Sequence, residues 1–368
     1  MKHNYIRDIF RNVSEEKRIE EFRLNRKQKK LVEDISSCKT AACGSHLDVC
    51  ENCGTVTHFY NSCRNPSCPV CQAVNREEWC VKQKYFVLNT VYFHTVFTIP
   101  DDLNPLVLLR PSLLYNILFE ASAEVIKELS ADPKYLGATP GFISVLHSWG
   151  AAMTLHPHIH MIIAGGGINS KSEWVKCRND SFLFPVKVMS ALFKGKFLSK
   201  LKNRFDKLIL DDPEQFQDIL NACYKKDWVV YAKEPMANPD CVIEYLSRYV
   251  HRIAISNSRI LSYENGKVTF LYKDYRDNNK VKPMTLTDTE FVRRFLMHVP
   301  PLRFMRIRYY GFLSNSYRND RFILLRKLTS TKDPGPFVFN KIDVIKKLLG
   351  RDPNVCQHCK CPLHPKRE

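Results

Sequence analysis

Between residues 155 and 163 the chain reads Leu155-His156-Pro157-His158-Ile159-His160-Met161-Ile162-Ile163, and few stretches restrict a fold so tightly. In an extended strand successive side chains point to opposite faces, so His156, His158 and His160 share one face while Leu155, Ile159, Met161 and Ile163 take the other. The apolar face asks for a core to cover it. The histidine face presents up to three neutral nitrogen ligands at one place, a platform for a metal ion. The competing reading is a half-buried strand whose histidines make ordinary hydrogen bonds. It suits a lone histidine better than three in register.

About ninety residues downstream lies Tyr245-Leu246-Ser247-Arg248-Tyr249-Val250-His251-Arg252. On a helix, residues four apart share a face, which puts Tyr245 and Tyr249 side by side. Two phenols near a metal read as a pair of nucleophiles, whereas on any other helix they read as packing. The histidine strand tips the balance toward chemistry.

Cysteines carry the third signal. Eight fall between residues 38 and 80, alongside Gly44, Gly54, Pro66 and Pro69, in a segment too rich in turns to build its own core. Cys50-x2-Cys53 and Cys68-x2-Cys71 have the spacing of a four-cysteine structural zinc site. Four protein ligands leave no open position for water, so the expected role of that zinc is to fold the module. Cys43, His46, His58 and Cys63 are candidates for a second ion. At the other end, Cys356, Cys359, Cys361 and His364 read as a small Cys3His site or a disordered tail.

The charge balance names the partner class. Lys and Arg number 56 against 38 Asp and Glu, a formal charge of +18, which suits a polyanion better than a small acidic substrate. The basic residues are dispersed rather than stacked on one amphipathic helix, and no apolar run approaches a membrane span, so nucleic acid is favoured over a membrane surface. The polar start of the chain carries no secretory signal, and a cytoplasmic setting is expected, in which fourteen cysteines are not a disulfide framework. Periodicity places helices over 6–35, 111–129, most of 182–224 and 288–297. It places strands over 88–100, 140–150, 155–164 and 227–233, with Gly165-Gly166-Gly167 ending the third. A hairpin of 253–261 and 268–273 is expected to turn at Glu264-Asn265-Gly266.

Together, His158-Ile159-His160 followed by Tyr245-x3-Tyr249 resembles the two-tyrosine HUH rolling-circle transposases of bacterial insertion sequences. Asn61-Ser62-Cys63-Arg64-Asn65 with Cys68-Pro69-Val70-Cys71-Gln72 looks like that family's amino-terminal zinc module, although Ser67 stands where the family usually carries a histidine. Tyr92-Phe93-His94-Thr95-Val96-Phe97-Thr98-Ile99-Pro100 looks like its first core strand. Lys273-Asp274-Tyr275, Glu290-Phe291-Val292-Arg293-Arg294-Phe295 and Arg306-Ile307-Arg308-Tyr309-Tyr310-Gly311 extend the likeness, which covers roughly residues 15–325.

The resemblance implies an α+β fold: a central antiparallel sheet with flanking helices, preceded by a small zinc-binding module. The implied organisation is a basic helix and zinc module over 1–85, a catalytic domain over 86–262, an α/β extension over 263–350 and a cysteine-rich tail over 351–368. It further implies cleavage and rejoining of single-stranded DNA through a 5′-phosphotyrosine on Tyr245 or Tyr249, with Mg2+ or Mn2+ on His158 and His160. The third ligand is open between His156, His251 and a carboxylate. Arg248, Arg252 and Lys233 are candidate phosphate clamps. Replication initiators of plasmids and phages, and conjugative relaxases, use the same strand and helix. A zinc-dependent DNA-binding regulator with an inactive site is the alternative of a different class.

Overall fold

The computed structural model describes residues 4–365 except 180, 182, 209–211, 237–240, 243–253, 276, 315–317 and 336–337. Helix α1 (Tyr5–Glu15) is capped by the Asn4 side chain and buries Ile6, Ile9, Phe10 and Val13. The helical pattern expected over 6–35 is broken once. Lys17 takes a left-handed φ of 56°, and α2 (Arg26–Ser37) restarts under a capping box made by Asn25 and Gln28. A hairpin of β1 (Ser45–Val49) and β2 (Val56–Tyr60) follows, then α3 (Gln72–Lys84).

The central sheet begins with β3 (Tyr92–Thr98). Helices α4 (Asn104–Leu109) and α5 (Pro111–Ala131) lead to β4 (Thr139–Trp149), β5 (Leu155–Ile168) and the short β6 (Trp174–Lys176). Helices α6 (Val186–Lys202) and α7 (Pro213–Lys225) return the chain to β7 (Val230–Met236). Then come β8 (Ile260–Glu264), β9 (Lys267–Asp274), β10 (Lys280–Thr287) and α8 (Asp288–Met297). After them β11 (Ile307–Tyr310) joins the central sheet, and α9 (Arg318–Leu328), α10 (Lys341–Leu349) and β12 (His364–Pro365) complete the chain.

The central sheet runs β11-β4-β5-β3-β7, with β6 on the end of β5, and every pairing is antiparallel. The alternation of β5 does what its sequence asks. Ile159, Met161 and Ile163 enter a core with Phe93, Phe97, Phe142 and Leu146, covered by α5 and α6. Each such buried side chain contributes roughly 1.5–3 kcal/mol. A one-residue slip would drive the histidines into that core, so the register is firmly set. The opposite face carries Tyr92, Ile143, Val145, Ile162 and Ala164, packed with Val242, Phe312 and Phe322.

Two expectations fail locally. The glycine run does not end β5, which continues to Ile168. A Cβ on Gly165, Gly166 or Gly167 would lie within 2.6 Å of Val91, Trp174 or Thr139, so these glycines admit close neighbours inside the sheet. The first hairpin strand starts at Ile260 rather than 253, after a 3-10 turn at Asn257–Arg259. The turn itself is as expected: Asn265 and Gly266 both have positive φ, 49° and 68°, as a two-residue type I′ loop needs. The unforeseen β10 carries Pro283 and alternating lysines, composition suited to the edge it occupies in the sheet β10-β9-β8.

That smaller sheet and α8 share a core with α1 and α2. Asp288, 0% exposed, receives bonds from the Arg18 guanidinium and from the Tyr263 hydroxyl at 2.9 Å, tying the two segments together across 270 residues of sequence. At the far end, β12 adds a third strand to the β1–β2 hairpin.

Candidate active site and metal centres

Cross-strand register assembles the site. His158 of β5 lies opposite His147 of β4, while His160 pairs with Val96 of β3 and Val145 of β4; His94 of β3 pairs with Ile162. Paired residues share a face, so His94, His147, His158 and His160 all project on the side away from the large core. The ligand nitrogens of His147, His158 and His160 lie within 4.8 Å of one another. His158 Nε2 and His160 Nε2 are 3.1 Å apart, and His160 Nδ1 is 3.0 Å from His94 Nε2.

Hydrogen bonds set the tautomers. His158 Nδ1 lies 2.7 Å from the His156 carbonyl, which can only accept, so Nδ1 carries the proton and Nε2 keeps its lone pair. When His160 also turns a lone pair at Nε2 toward the cluster, its Nδ1–H donates to His94. His94 is then an orienting partner for His160. Burial pushes His94 down to about 3 and His158 to about 4, and holds His160 well below the ordinary value, so all three rings stay neutral at pH 7. Neutral imidazoles are what a metal ion requires.

His156 is outside the converging set of three, although its ring centre lies 5.3 Å from that of His158. Its ring is partly exposed, with Nδ1 3.8 Å from the Asp101 carboxylate. Four residues along a strand span about 13 Å, whereas a directly opposed neighbour is about 5 Å away. His147 therefore takes the third position that the sequence pattern suggested for His156. Nothing around Leu146-His147-Ser148 announces a ligand, because its partner is fixed only by the β4–β5 register. Lys233 of β7 pairs with His94 and sits exposed on the histidine face. Tyr245, Arg248, Tyr249, His251 and Arg252 lie outside the described residues. Val242, three positions before Tyr245, is 1% exposed and packs with Ile143 and Ile162 on that same face.

A cavity of about 680 Å³ opens over the cluster, with Trp149, Arg259, Tyr272, Lys273 and Tyr275 around His147, His156, His158 and His160. Arg259 is held by bonds to the Leu271 carbonyl at 2.8 Å and the Ala151 carbonyl at 2.6 Å. Lys273 Nζ lies 5.7 Å from the centre of the Tyr275 ring, and Tyr275 is 69% exposed. Cations and accessible aromatic faces beside a ligand cluster are what a nucleic-acid strand would meet.

Residues 141–321 match a family described as "Putative transposase", and residues 9–99 match one described as "Transposase zinc-binding domain". The chain is 40% identical to "Putative transposase y4qJ" of Sinorhizobium fredii, over 96% of this chain and 92% of the relative. The chain belongs to the IS91/IS801-type transposases. It is also 27% identical to the transposase for insertion sequence element IS801 of Pseudomonas savastanoi pv. phaseolicola, over 88% of this chain and 78% of the relative. No solved structure matches. Among the described residues of this transposase, no helix is long and apolar enough to cross a membrane.

The cysteines of the transposase regroup relative to their spacing. Cys68 and Cys71 do not close on Cys50 and Cys53. They meet Cys38, at the end of α2, and Cys63, with sulfur separations of 3.5 Å for Cys63–Cys71, 3.6 Å for Cys38–Cys71 and 3.8 Å for Cys38–Cys68. Tetrahedral zinc with Zn–S bonds near 2.3 Å puts sulfurs about 3.8 Å apart, so these four thiols fit a structural zinc ion. The hairpin between the two expected pairs carries Cys50 and Cys53 to its far end, where they face Cys356 and Cys359 instead.

The other candidates for a second ion do not converge. Cys43 Sγ turns to the Ser37 carbonyl at 3.2 Å, His46 stacks on Phe59, and His58 lies against Tyr60; Cys63 belongs to the first cluster. In the tail, Cys361 turns back to the Cys359 carbonyl and His364 pairs in β12 opposite Val49, so neither completes a Cys3His site.

Proposed function

We propose that this transposase cleaves and rejoins single-stranded DNA at the ends of an insertion sequence, through a 5′-phosphotyrosine, during rolling-circle transposition. The observation that carries the reading is the histidine cluster on the floor of a cavity edged by Arg259, Lys273 and Tyr275. A divalent ion held by His147, His158 and His160 would supply Lewis-acid polarisation of one scissile phosphate. Three imidazoles suit a first-row transition ion such as Mn2+ better than Mg2+, which prefers oxygen.

The remaining chemistry belongs to the chain. An unperturbed phenol has a pKa of about 10, so the attacking tyrosine must give up its proton as it reacts. Its oxygen forms a bond to phosphorus, the bond to the 3′ oxygen breaks, and that oxygen takes a proton to become a free 3′-hydroxyl. The phosphotyrosine conserves the phosphodiester energy, and a later 3′-hydroxyl reverses the step on another strand. Two tyrosines allow a second cleavage while the first end is still attached. Lys233 on the histidine face and Arg259 on the cavity wall are placed to meet backbone phosphates, and Tyr275 to stack on a base. The zinc-binding module and relatives named as transposases favour this reading over a replication initiator or relaxase.

The test is covalent capture. Incubation with a single-stranded oligonucleotide bearing an element end and Mn2+ should give a denaturant-stable protein–DNA adduct on Tyr245 or Tyr249. The adduct should be absent when both are replaced, Tyr245→Phe with Tyr249→Phe. Its persistence in that double variant would assign the nucleophile elsewhere.

A further inference from the structure

The second cysteine cluster draws on both ends of the chain, and its two halves share one backbone design. In the first half, the Cys50 amide donates to the carbonyl of Thr55, five residues on, at 3.0 Å. The Gly54 amide donates back to the Cys50 carbonyl at 2.8 Å, with φ of 67° at Gly54. In the second half, the Cys356 amide donates to the carbonyl of Cys361, again five residues on, at 2.8 Å. The Lys360 amide donates to the Cys356 carbonyl at 3.0 Å, with φ of 63° at Lys360. Each half is a turn that aims two sulfurs at one point.

The two turns face each other. Cys50 Sγ is 3.3 Å from Cys359 Sγ, Cys53 Sγ is 3.7 Å from Cys356 Sγ, and all four sulfurs lie within 4.8 Å of one another. The strands flanking them pair as well: Val49 with His364 and Asp48 with Pro365. Around the sulfurs, among the described residues, Leu363, Phe59 and Cys361 contribute the apolar contact, too little for a core.

We infer that Cys50, Cys53, Cys356 and Cys359 bind a second structural zinc ion, so that residues 351–365 complete the amino-terminal module and staple the two ends of the chain together. Four thiolates in a closed tetrahedral set leave no position for water, so the ion holds the fold and takes no part in cleavage. Immediately before the tail, α10 lies directly against α3, with Lys347 Nζ 3.7 Å from the Glu77 carboxylate.

Zinc content of the full-length protein tests this. With the histidine cluster disabled by His147→Ala, the chain should hold two zinc ions, and adding Cys356→Ser and Cys359→Ser should leave one. Two ions after that addition, or one before it, would overturn the inference. Alkylation of wild type by iodoacetamide serves should the variant fail to fold. Cys53 is exposed, so burial cannot shield it. It and Cys359 should resist labelling when zinc is bound and become labelled together once a chelator is added. Full labelling of Cys53 in zinc-loaded protein would contradict the site. Neither result bears on the histidine centre, so the cleavage reading stands or falls separately.

Discussion

The histidine centre and the cysteine module both gather side chains able to ligate a metal from distant parts of the sequence, but they do so by opposite means. His94, His147 and His158 with His160 come from three strands of one sheet, whose register is set by Ile159, Met161 and Ile163 on the other face. The ligands are positioned before any ion arrives. Cys38, Cys63, Cys68 and Cys71 sit on a helix end and turns, and Cys50 and Cys53 meet sulfurs from about residue 356 onward. Cys38 and Cys68 also pack into the core shared by α1, α2 and α8, whereas around Cys50 and Cys53 little besides an ion would draw the groups together. A catalytic ion can bind and leave a preformed site, whereas a structural ion is part of the folding free energy.

The largest effect expected from this contrast is on chelation. Structural zinc sites contribute apparent binding free energies of about 10–16 kcal/mol at neutral pH. Stripping all divalent ions should therefore abolish hydrogen-exchange protection across residues 45–71 while amides of β3, β4 and β5 keep theirs. Loss of protection in both regions together would mean that the sheet is not preformed.

Next in size is Asp288, which joins the amino-terminal helices to the smaller sheet without a metal. Asp288→Ala removes one partner of a buried pair and should cost about 3–5 kcal/mol in denaturant unfolding. Burial alone would raise the Asp288 carboxyl, but bonds from Arg18 and Tyr263 outweigh it and the net shift is downward. A depressed carboxyl contributes stability that is full above its unfolded pKa of about 3.9 and is lost as pH falls through the folded value. Asp288→Asn should flatten that acid limb. An unchanged limb would place the acid-sensitive group elsewhere.

A smaller effect is expected at His94, which orients His160 without belonging to the cluster of three. His94→Phe should weaken Mn2+ binding by about 10- to 100-fold in calorimetry, with the melting temperature little changed, and His94→Gln, which restores an acceptor, should recover part of the loss. Equal losses in both variants would reduce His94 to packing.

The same contrast explains what could be read in the chain beforehand. Period-two alternation over 155–163 specified a strand, its buried face and two of the three clustered histidines, because all of that is local. His147 was not legible, since its role depends on which residue of β4 falls opposite His158. The C-x2-C pairs announced thiolate sites, but not their partners: Cys38 carries no pair signature, and the tail reaches Cys50 only through tertiary structure. The helix Asp288–Met297 and the Asn265-Gly266 turn were legible because caps and turn residues act within a few positions. Pro283 disguised β10 because an edge strand tolerates what a central strand cannot.

The most direct test of the histidine centre sets the third ligand proposed from the fold against the one suggested by sequence. Divalent-dependent cleavage of a single-stranded element-end oligonucleotide should be measured for wild type, His147→Ala and His156→Ala. Losing a partner of a ligand costs 10- to 100-fold, so losing the ligand itself in His147→Ala should cost about 100-fold or more, while His156→Ala should stay within about twofold of wild type. The reverse pattern, with His156→Ala inactive and His147→Ala unimpaired, would contradict the account.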